Sequence, residues 1–135
     1  MKRGFICGVF DLFHYGHLLA LKECREHCDY LVVAVNKADN FDPIVNPGKN
    51  KPIFPLLHRV EILKSCRFVD EVVVYGSESE LSTLLSTQNY DIRFLGEDYR
   101  NKPVTGGEYT PELYFLERSH GFSTSMFRNE IRNQL

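Results

Sequence analysis

The chain of 135 residues has no apolar run approaching the length of a membrane span, which argues against a spanning helix. The apolar stretch after Met1-Lys2-Arg3 is too short for a secretory leader. There is also little excess of either sign of charge, with 16 Lys and Arg against 18 Asp and Glu. A formal net charge of −2 creates no bulk field for nucleic acid or a membrane surface, so any groups that bind an anion must be local. There are no internal repeats, low-complexity tracts or linkers, and the length suits one domain over residues 1–135. Cysteine is limited to Cys7, Cys24, Cys28 and Cys66. Cys24 and Cys28 fall one helical turn apart beside His27, but no Cys-x-x-Cys or His-x-x-x-His pair accompanies them, so no metal ligands are assigned. The expectation is four reduced structural thiols in a cytoplasmic protein that binds neither nucleic acid nor membrane.

Hydrophobic content of 43% and charged content of 25% are ordinary for a globular chain. Its pattern alternates between strand and helix. Arg3–Gly8 reads as a strand and Tyr15 to about Cys28 as a helix. The run Tyr30–Val35 is continuous and β-branched, as a parallel strand covered on both faces should be. Pro55 opens a second helix carrying Leu56, Val60, Leu63 and Cys66. Val72–Tyr75, Ile92–Leu95 and Leu113–Leu116 read as strands, with a helix over Glu78–Thr87. Ser123 is a good N-cap for a last helix in which Phe127, Ile131 and Leu135 are spaced by four. This order predicts a three-layer α/β fold with a five-stranded parallel sheet, whose ligand lies beyond the carboxyl ends of the strands.

The richest segment is Gly8-Val9-Phe10-Asp11-Leu12-Phe13-His14-Tyr15-Gly16-His17. It follows the first strand and enters a helix. His14 and His17 share one face of the helix start, and Gly16 between them would let a ligand approach the backbone. First-turn N–H groups and the positive end of the helix dipole favour an anion. Together these features suit a polyphosphate. Asp11 is read as fixing the turn through backbone hydrogen bonds, with contact to magnesium as the alternative. Two long connections could close over phosphates or simply be solvated loops: Asp39–Phe54, with Lys49 and Lys51 among prolines and Gly48, and Arg100–Pro111.

The His14-Tyr15-Gly16-His17 block resembles the His-x-Gly-His signature of the cytidylyltransferase family of nucleotidyltransferases, most nearly its glycerol-3-phosphate cytidylyltransferase branch. A second block, Arg118-Ser119-His120-Gly121-Phe122-Ser123-Thr124-Ser125, is similar to the family's Arg-x-x-Gly-Ile-Ser-Thr-Thr, with Phe122 and Ser125 as the departures. The resemblance covers nearly the whole chain. It implies a Rossmann-like nucleotidyltransferase fold. It places Gly8, Val9, Phe10, Gly16, Ser123, Thr124 and Ser125 around the nucleotide, and Lys49 and Lys51 on a mobile loop against the triphosphate. It also puts Arg59 beside the nucleotide and Arg67 near a homodimer interface. Without the resemblance, both arginines would read as solvated helix residues. Gly96-Glu97-Asp98-Tyr99 resembles the family's Gly-Asp-Asp-Trp segment, which implies a base pocket where acceptors meet the cytosine amino group. Adenine presents an amino donor too, so acceptors alone do not exclude ATP.

The chemistry expected is attack of an acceptor phosphate on the α-phosphorus of CTP, with release of pyrophosphate. A phosphate monoester is largely dianionic at neutral pH, its second pKa being about 6, so no general base is required. The protein's task is alignment and charge stabilisation. His14, His17 and Arg118 are the residues expected to carry it, with magnesium bound alongside the nucleotide. The acceptor would be a small phosphorylated alcohol such as glycerol 3-phosphate. The other readings are an ATP-dependent adenylyltransferase and a nucleotide-binding module without turnover.

Overall fold

The computed structural model describes residues 1–39 and 51–135. Among the described residues there are five strands: β1 (Arg3–Gly8), β2 (Tyr30–Asn36), β3 (Glu71–Tyr75), β4 (Ile92–Gly96) and β5 (Glu112–Leu116). Four α-helices among the same residues connect or follow them: α1 (Tyr15–Glu26), α2 (Leu56–Lys64), α3 (Glu78–Thr87) and α4 (Thr124–Asn133). All pairings are parallel, in the order β3-β2-β1-β4-β5. The expected three-layer α/β architecture is the one observed. Leu31 to Val35 are fully buried along β2, because helices cover both faces of this inner strand.

Alternation along the strands divides the core in two. Ile6, Leu31, Val33, Val35, Ile92 and Phe94 pack with Leu21 and Cys24 of α1 and Leu63 of α2. On the other face Phe5, Val32, Ala34 and Tyr75 pack with Leu81 and Leu85 of α3. Gly4 is required where these layers meet, since a Cβ there would lie 2.7 Å from the Phe94 ring and 2.8 Å from Cys28 Sγ. Strand order reverses between β1 and β4. In open parallel sheets that reversal leaves a crevice at the carboxyl ends, and it brings the segments after β1 and β4 together.

Some boundaries differ from the sequence reading. α1 ends at Glu26 and α2 at Lys64, so Cys28 and Cys66 lie beyond them. Cys28 still packs against the core, its Sγ donating to the Cys24 carbonyl at 3.3 Å. Phe127, Ile131 and Leu135 do not form a buried seam: Ile131 in α4 is 56% exposed, and Leu135, beyond the end of the helix, is fully exposed. The helix has no fully buried residue, so its seating depends on contacts made near its N-terminus. No helix among the described residues is long and apolar enough to cross a membrane.

Candidate active site

The turn after β1 is strained. Phe10, Leu12 and Phe13 all have positive φ, at 54°, 65° and 29°. Such geometry in bulky residues persists only where surrounding contacts over-determine it. Asp11 supplies those contacts from a buried position. Its Oδ2 accepts from the Ile53 N–H at 2.8 Å and its Oδ1 from the Phe54 N–H at 2.9 Å. Arg128 Nη2 also donates to Oδ2, at 2.8 Å. The carboxylate therefore joins the turn to a distant loop and to α4, beyond the local turn-fixing role expected of it.

His14 caps α1. Its Nδ1 accepts from the Gly16 N–H at 3.0 Å, and the His17 Nδ1 accepts from the His14 N–H at 3.3 Å. The result is a reciprocal capping box built from two histidines. With both Nδ1 atoms accepting, the neutral tautomer of each ring carries its proton on Nε2. The rings stack with centroids 3.8 Å apart. His14 Nε2 lies 3.1 Å from Thr124 Oγ1, which fixes it against the N-terminus of α4. His17 packs beside Phe10 and Phe13, at 5.3 and 6.1 Å between centroids. Burial, reinforced by His14 and Arg118, pushes the His17 pKa down to about 3. Burial and then His120 lower that of His14. The His17 ring is thus a neutral imidazole and not an imidazolium ion at neutral pH.

Across the crevice, Arg118 follows β5 and its guanidinium passes over Gly96 at the end of β4. A Cβ on Gly96 would lie 2.7 Å from Arg118 Nη2 and 2.7 Å from Asp98 Oδ1. Glycine at this position gives the arginine its path. Ser123 caps α4 by accepting from the Met126 N–H at 3.1 Å, leaving the helix N-terminus directed at the same crevice. Thr124 is half-buried and Ser125 is exposed at that terminus. Gly8 and Val9 are half-buried in the turn beside buried Phe10.

Several expected site residues sit differently from their sequence reading. The missing side chain of Gly16 leaves no room for a ligand: its place is taken by the Phe122 carbonyl, 2.8 Å from a hypothetical Cβ, and by the His14 ring. Arg59 is not solvated. It is buried, and its guanidinium donates to the carbonyls of Phe54, Val9, Asn36 and Lys37 at 2.7–3.1 Å. It holds the carboxyl ends of β1 and β2 to the segment before α2. Glu97 is exposed and closed onto Arg100 by two bonds, at 2.6 and 2.7 Å, which hold its carboxyl below the usual range. Tyr99 is 46% exposed. Arg67 is exposed and lies over the Phe68 ring at 5.2 Å. Lys51 is exposed, while Lys49 falls outside the described residues.

The sequence reading passed over Arg128 and Arg93. Arg93 is buried, donates to the Thr105 carbonyl and leaves its Nε without a partner among the described residues. No group of three or more His, Cys, Asp or Glu side chains among the described residues could hold a metal ion. Asp11 already accepts three hydrogen bonds, two on Oδ2 and one on Oδ1.

Known proteins resemble this chain in sequence and in fold. Among curated relatives, "Bifunctional protein HldE" of Campylobacter fetus is 32% identical over 95% of this chain, and that of Helicobacter hepaticus 36% over 95%. The chain spans about a quarter of their length, 27% and 26%. A lipopolysaccharide core biosynthesis protein from Thermoplasma volcanium is 26% identical, with a TM-score of 0.67 over 87% of this chain and 98% of that one. A putative nicotinate-nucleotide adenylyltransferase from Vibrio parahaemolyticus shares the fold at 13% identity and a TM-score of 0.58, over 99% of this chain and 89% of that one. These relatives do not single out the glycerol-3-phosphate cytidylyltransferase branch. The cytidylyltransferase-like family model matches residues 5–130, and the chain belongs to that family.

Proposed function

We propose that this chain transfers a nucleotidyl group from a nucleoside triphosphate to a small phosphorylated acceptor, releasing pyrophosphate. The observation that carries the reading is the stacked His14–His17 pair, whose Nε2 donors sit at the start of α1 while Thr124 holds one ring and Arg118 crosses Gly96 opposite. The acceptor phosphate is the nucleophile and attacks the α-phosphorus. The bond from that phosphorus to the bridging oxygen breaks, and pyrophosphate leaves with the electron pair. His17 donates its open Nε2–H to an oxygen on the α-phosphorus, and His14 donates there once its Nε2–H leaves Thr124 Oγ1 for the substrate. Arg118 and the N-terminus of α4 hold the β- and γ-phosphates, with Lys51 and Lys49 assigned to the same polyanion. Ser123, Thr124 and Ser125 contribute hydroxyl and backbone donors there. Magnesium enters as part of the triphosphate substrate and takes no carboxylate set from the described residues.

CTP is the proposed donor, read from the Gly96–Tyr99 segment, where backbone acceptors and Asp98 would meet the cytosine amino group. ATP is the second reading, and a specific observation favours it. Glu97 is closed onto Arg100 and Tyr99 stands half in solvent, so nothing there bars a purine by shape. The names HldE and lipopolysaccharide core biosynthesis protein make sugar phosphates acceptors to test beside glycerol 3-phosphate. Calorimetric titration of CTP, ATP and UTP with magnesium decides the base. CTP binding at least about tenfold tighter than ATP, equal to about 1.4 kcal/mol, supports a cytidylyltransferase, and the reverse order assigns an adenylyltransferase.

A single domain and a homodimer complete the proposal. A groove of about 520 Å³ between α1 and the segment after α2 is lined by Phe13, Leu18, Leu19, Ile62, Arg67 and Phe68. It gives a second copy an apolar seat next to the ring of Phe13 that packs on His17.

A further inference from the structure

We propose that Glu23 is a positioning residue: from α1 its carboxylate fixes the exit of β5, and with it the root of the Arg118 side chain, in register with the His14–His17 pair. The inference rests on the nucleotidyl-transfer reading of the site. Glu23 is half-buried in the second half of α1. Its Oε2 accepts from the Tyr114 hydroxyl at 2.8 Å. Both oxygens also face the Glu117 N–H, at 3.2 Å for Oε1 and 3.3 Å for Oε2. β5 ends at Leu116, so this N–H belongs to the first residue past the strand, the one before Arg118. Among the described residues no Lys, Arg or His forms an ion pair with Glu23. Its partners are therefore a phenol and a backbone amide, and its task is to accept hydrogen bonds at a fixed point.

The consequence for Arg118 follows from connectivity. Beyond Glu117 the chain turns: the Ser119 N–H and hydroxyl donate to the Glu117 carboxylate at 2.6 and 2.7 Å, and the Gly121 N–H to the Arg118 carbonyl at 3.2 Å. Arg118 is itself exposed, so its own packing does little to hold it. Gly96 gives the guanidinium its path, and the bond from Glu117 to Glu23 sets the point where that path begins. The helix that carries Glu23 starts at the His14–His17 capping box. One rigid element thus fixes both sides of the crevice, the histidines directly and the arginine through Glu117. Tyr114 braces the carboxylate, its ring lying 4.4 Å from that of His27 and edge-on to Phe94 at 5.6 Å. The bond to Glu23 pushes the Tyr114 phenol up to about 12. Without Glu23 the Glu117 N–H turns to solvent and the Arg118 segment is free to shift. Misplacement of binding groups by about 1 Å can cost about 100-fold in rate.

The test compares the parent with Glu23→Ala, Glu23→Gln, Glu23→Asp, Arg118→Ala and the Glu23→Ala, Arg118→Ala double variant, using CTP and ATP with magnesium. Glu23→Ala is expected to lower kcat/KM for the triphosphate by about 10- to 100-fold. Amide exchange at Glu117 should speed up, and the Tyr114 phenol should titrate nearer its ordinary value of about 10. Glu23→Gln keeps an oxygen acceptor in place and should recover most of the activity. Glu23→Asp keeps the charge but withdraws it by one methylene; it should fall towards the alanine variant, and it carries the comparison should that variant not fold. In the Arg118→Ala background Glu23→Ala should add little, because the side chain it positions is gone, whereas a purely structural loss would be the same in both backgrounds. Parental kcat/KM in both Glu23→Ala and Glu23→Asp, Gln no better than Ala, or single effects that simply multiply in the double variant overturns the proposal. If the parent turns over neither triphosphate, the nucleotidyl-transfer reading fails. The Glu117 exchange rate and the Tyr114 titration then still decide whether Glu23 holds the exit of β5, and no change in either overturns that as well.

Discussion

His17→Ala is the most informative single substitution, because the structure engages one nitrogen of the ring and leaves the other open. Its Nδ1 is occupied by the His14 N–H at 3.3 Å, so Nε2 is the atom available to a substrate. Removing one oriented donor to developing charge typically costs about 10²–10³ in kcat, or about 3–4 kcal/mol. The ring's charge state sharpens this. A folded-state pKa of about 3 against the ordinary 6.5 means that the unfolded chain binds the extra proton between those values. Stability carried by this group is therefore full above pH 6.5 and is lost as pH falls from 6.5 towards 3. At about 1.4 kcal/mol per unit the loss is bounded by about 5 kcal/mol, and the ring's partial exposure brings it lower. Long-range ¹H–¹⁵N spectra of the ring at pH 5–6 should show a neutral imidazole protonated on Nε2. His17→Gln, whose amide nitrogen reaches close to the Nε2 position, should retain more activity than His17→Ala. An imidazolium at pH 6, together with Gln no better than Ala, would refute the neutral-donor reasoning.

Three further outcomes are expected. His14→Ala removes both the cap of α1 and the contact to Thr124, so turnover should fall by about 10²–10³ in a pyrophosphate-release assay, more than triphosphate affinity does. Asp11→Ala leaves Arg128 and two backbone N–H groups without their shared acceptor, which should cost about 3–5 kcal/mol in urea denaturation; a loss below about 1 kcal/mol would contradict the clamp. Gly96→Ala should displace Arg118 and lower turnover while the fold survives, and unchanged kinetics would show that the arginine needs no such path.

What could be read from the sequence followed the range of the interaction. β1 over Arg3–Gly8, α3 over Glu78–Thr87 and the Ser123 cap depend on local pattern and turn chemistry, and the structure has them where the sequence places them. The buried β2 was legible because no solvent-facing residue interrupts it. Ends were harder: α1 stops at Glu26, where a 3.6-residue pattern continues into Cys28 without a helix. Arg59 and Arg128 were opaque for a different reason. Their partners lie in other segments, Asp11 being 117 positions from Arg128, and a buried arginine looks like a solvated one until the carbonyls around it are known. The Glu97–Arg100 pair was available as an i, i+3 spacing, yet the acidic segment was read through its resemblance to a base pocket. The spacing of Phe127, Ile131 and Leu135 suggested a buried seam, but α4 meets the site through its first turns and leaves the rest in solvent.

The most direct measurement of the central claim is pyrophosphate release, with mass spectrometry of the nucleotide product. The protein would be supplied with magnesium, CTP or ATP, and a panel that includes glycerol 3-phosphate and sugar phosphates. The account predicts one pyrophosphate per nucleotidylated acceptor, dependent on the acceptor phosphate and lost in His17→Ala. Tight triphosphate binding with no pyrophosphate and no joined product, across a panel that includes both triphosphates, would contradict it and leave a nucleotide-binding module in place of an enzyme.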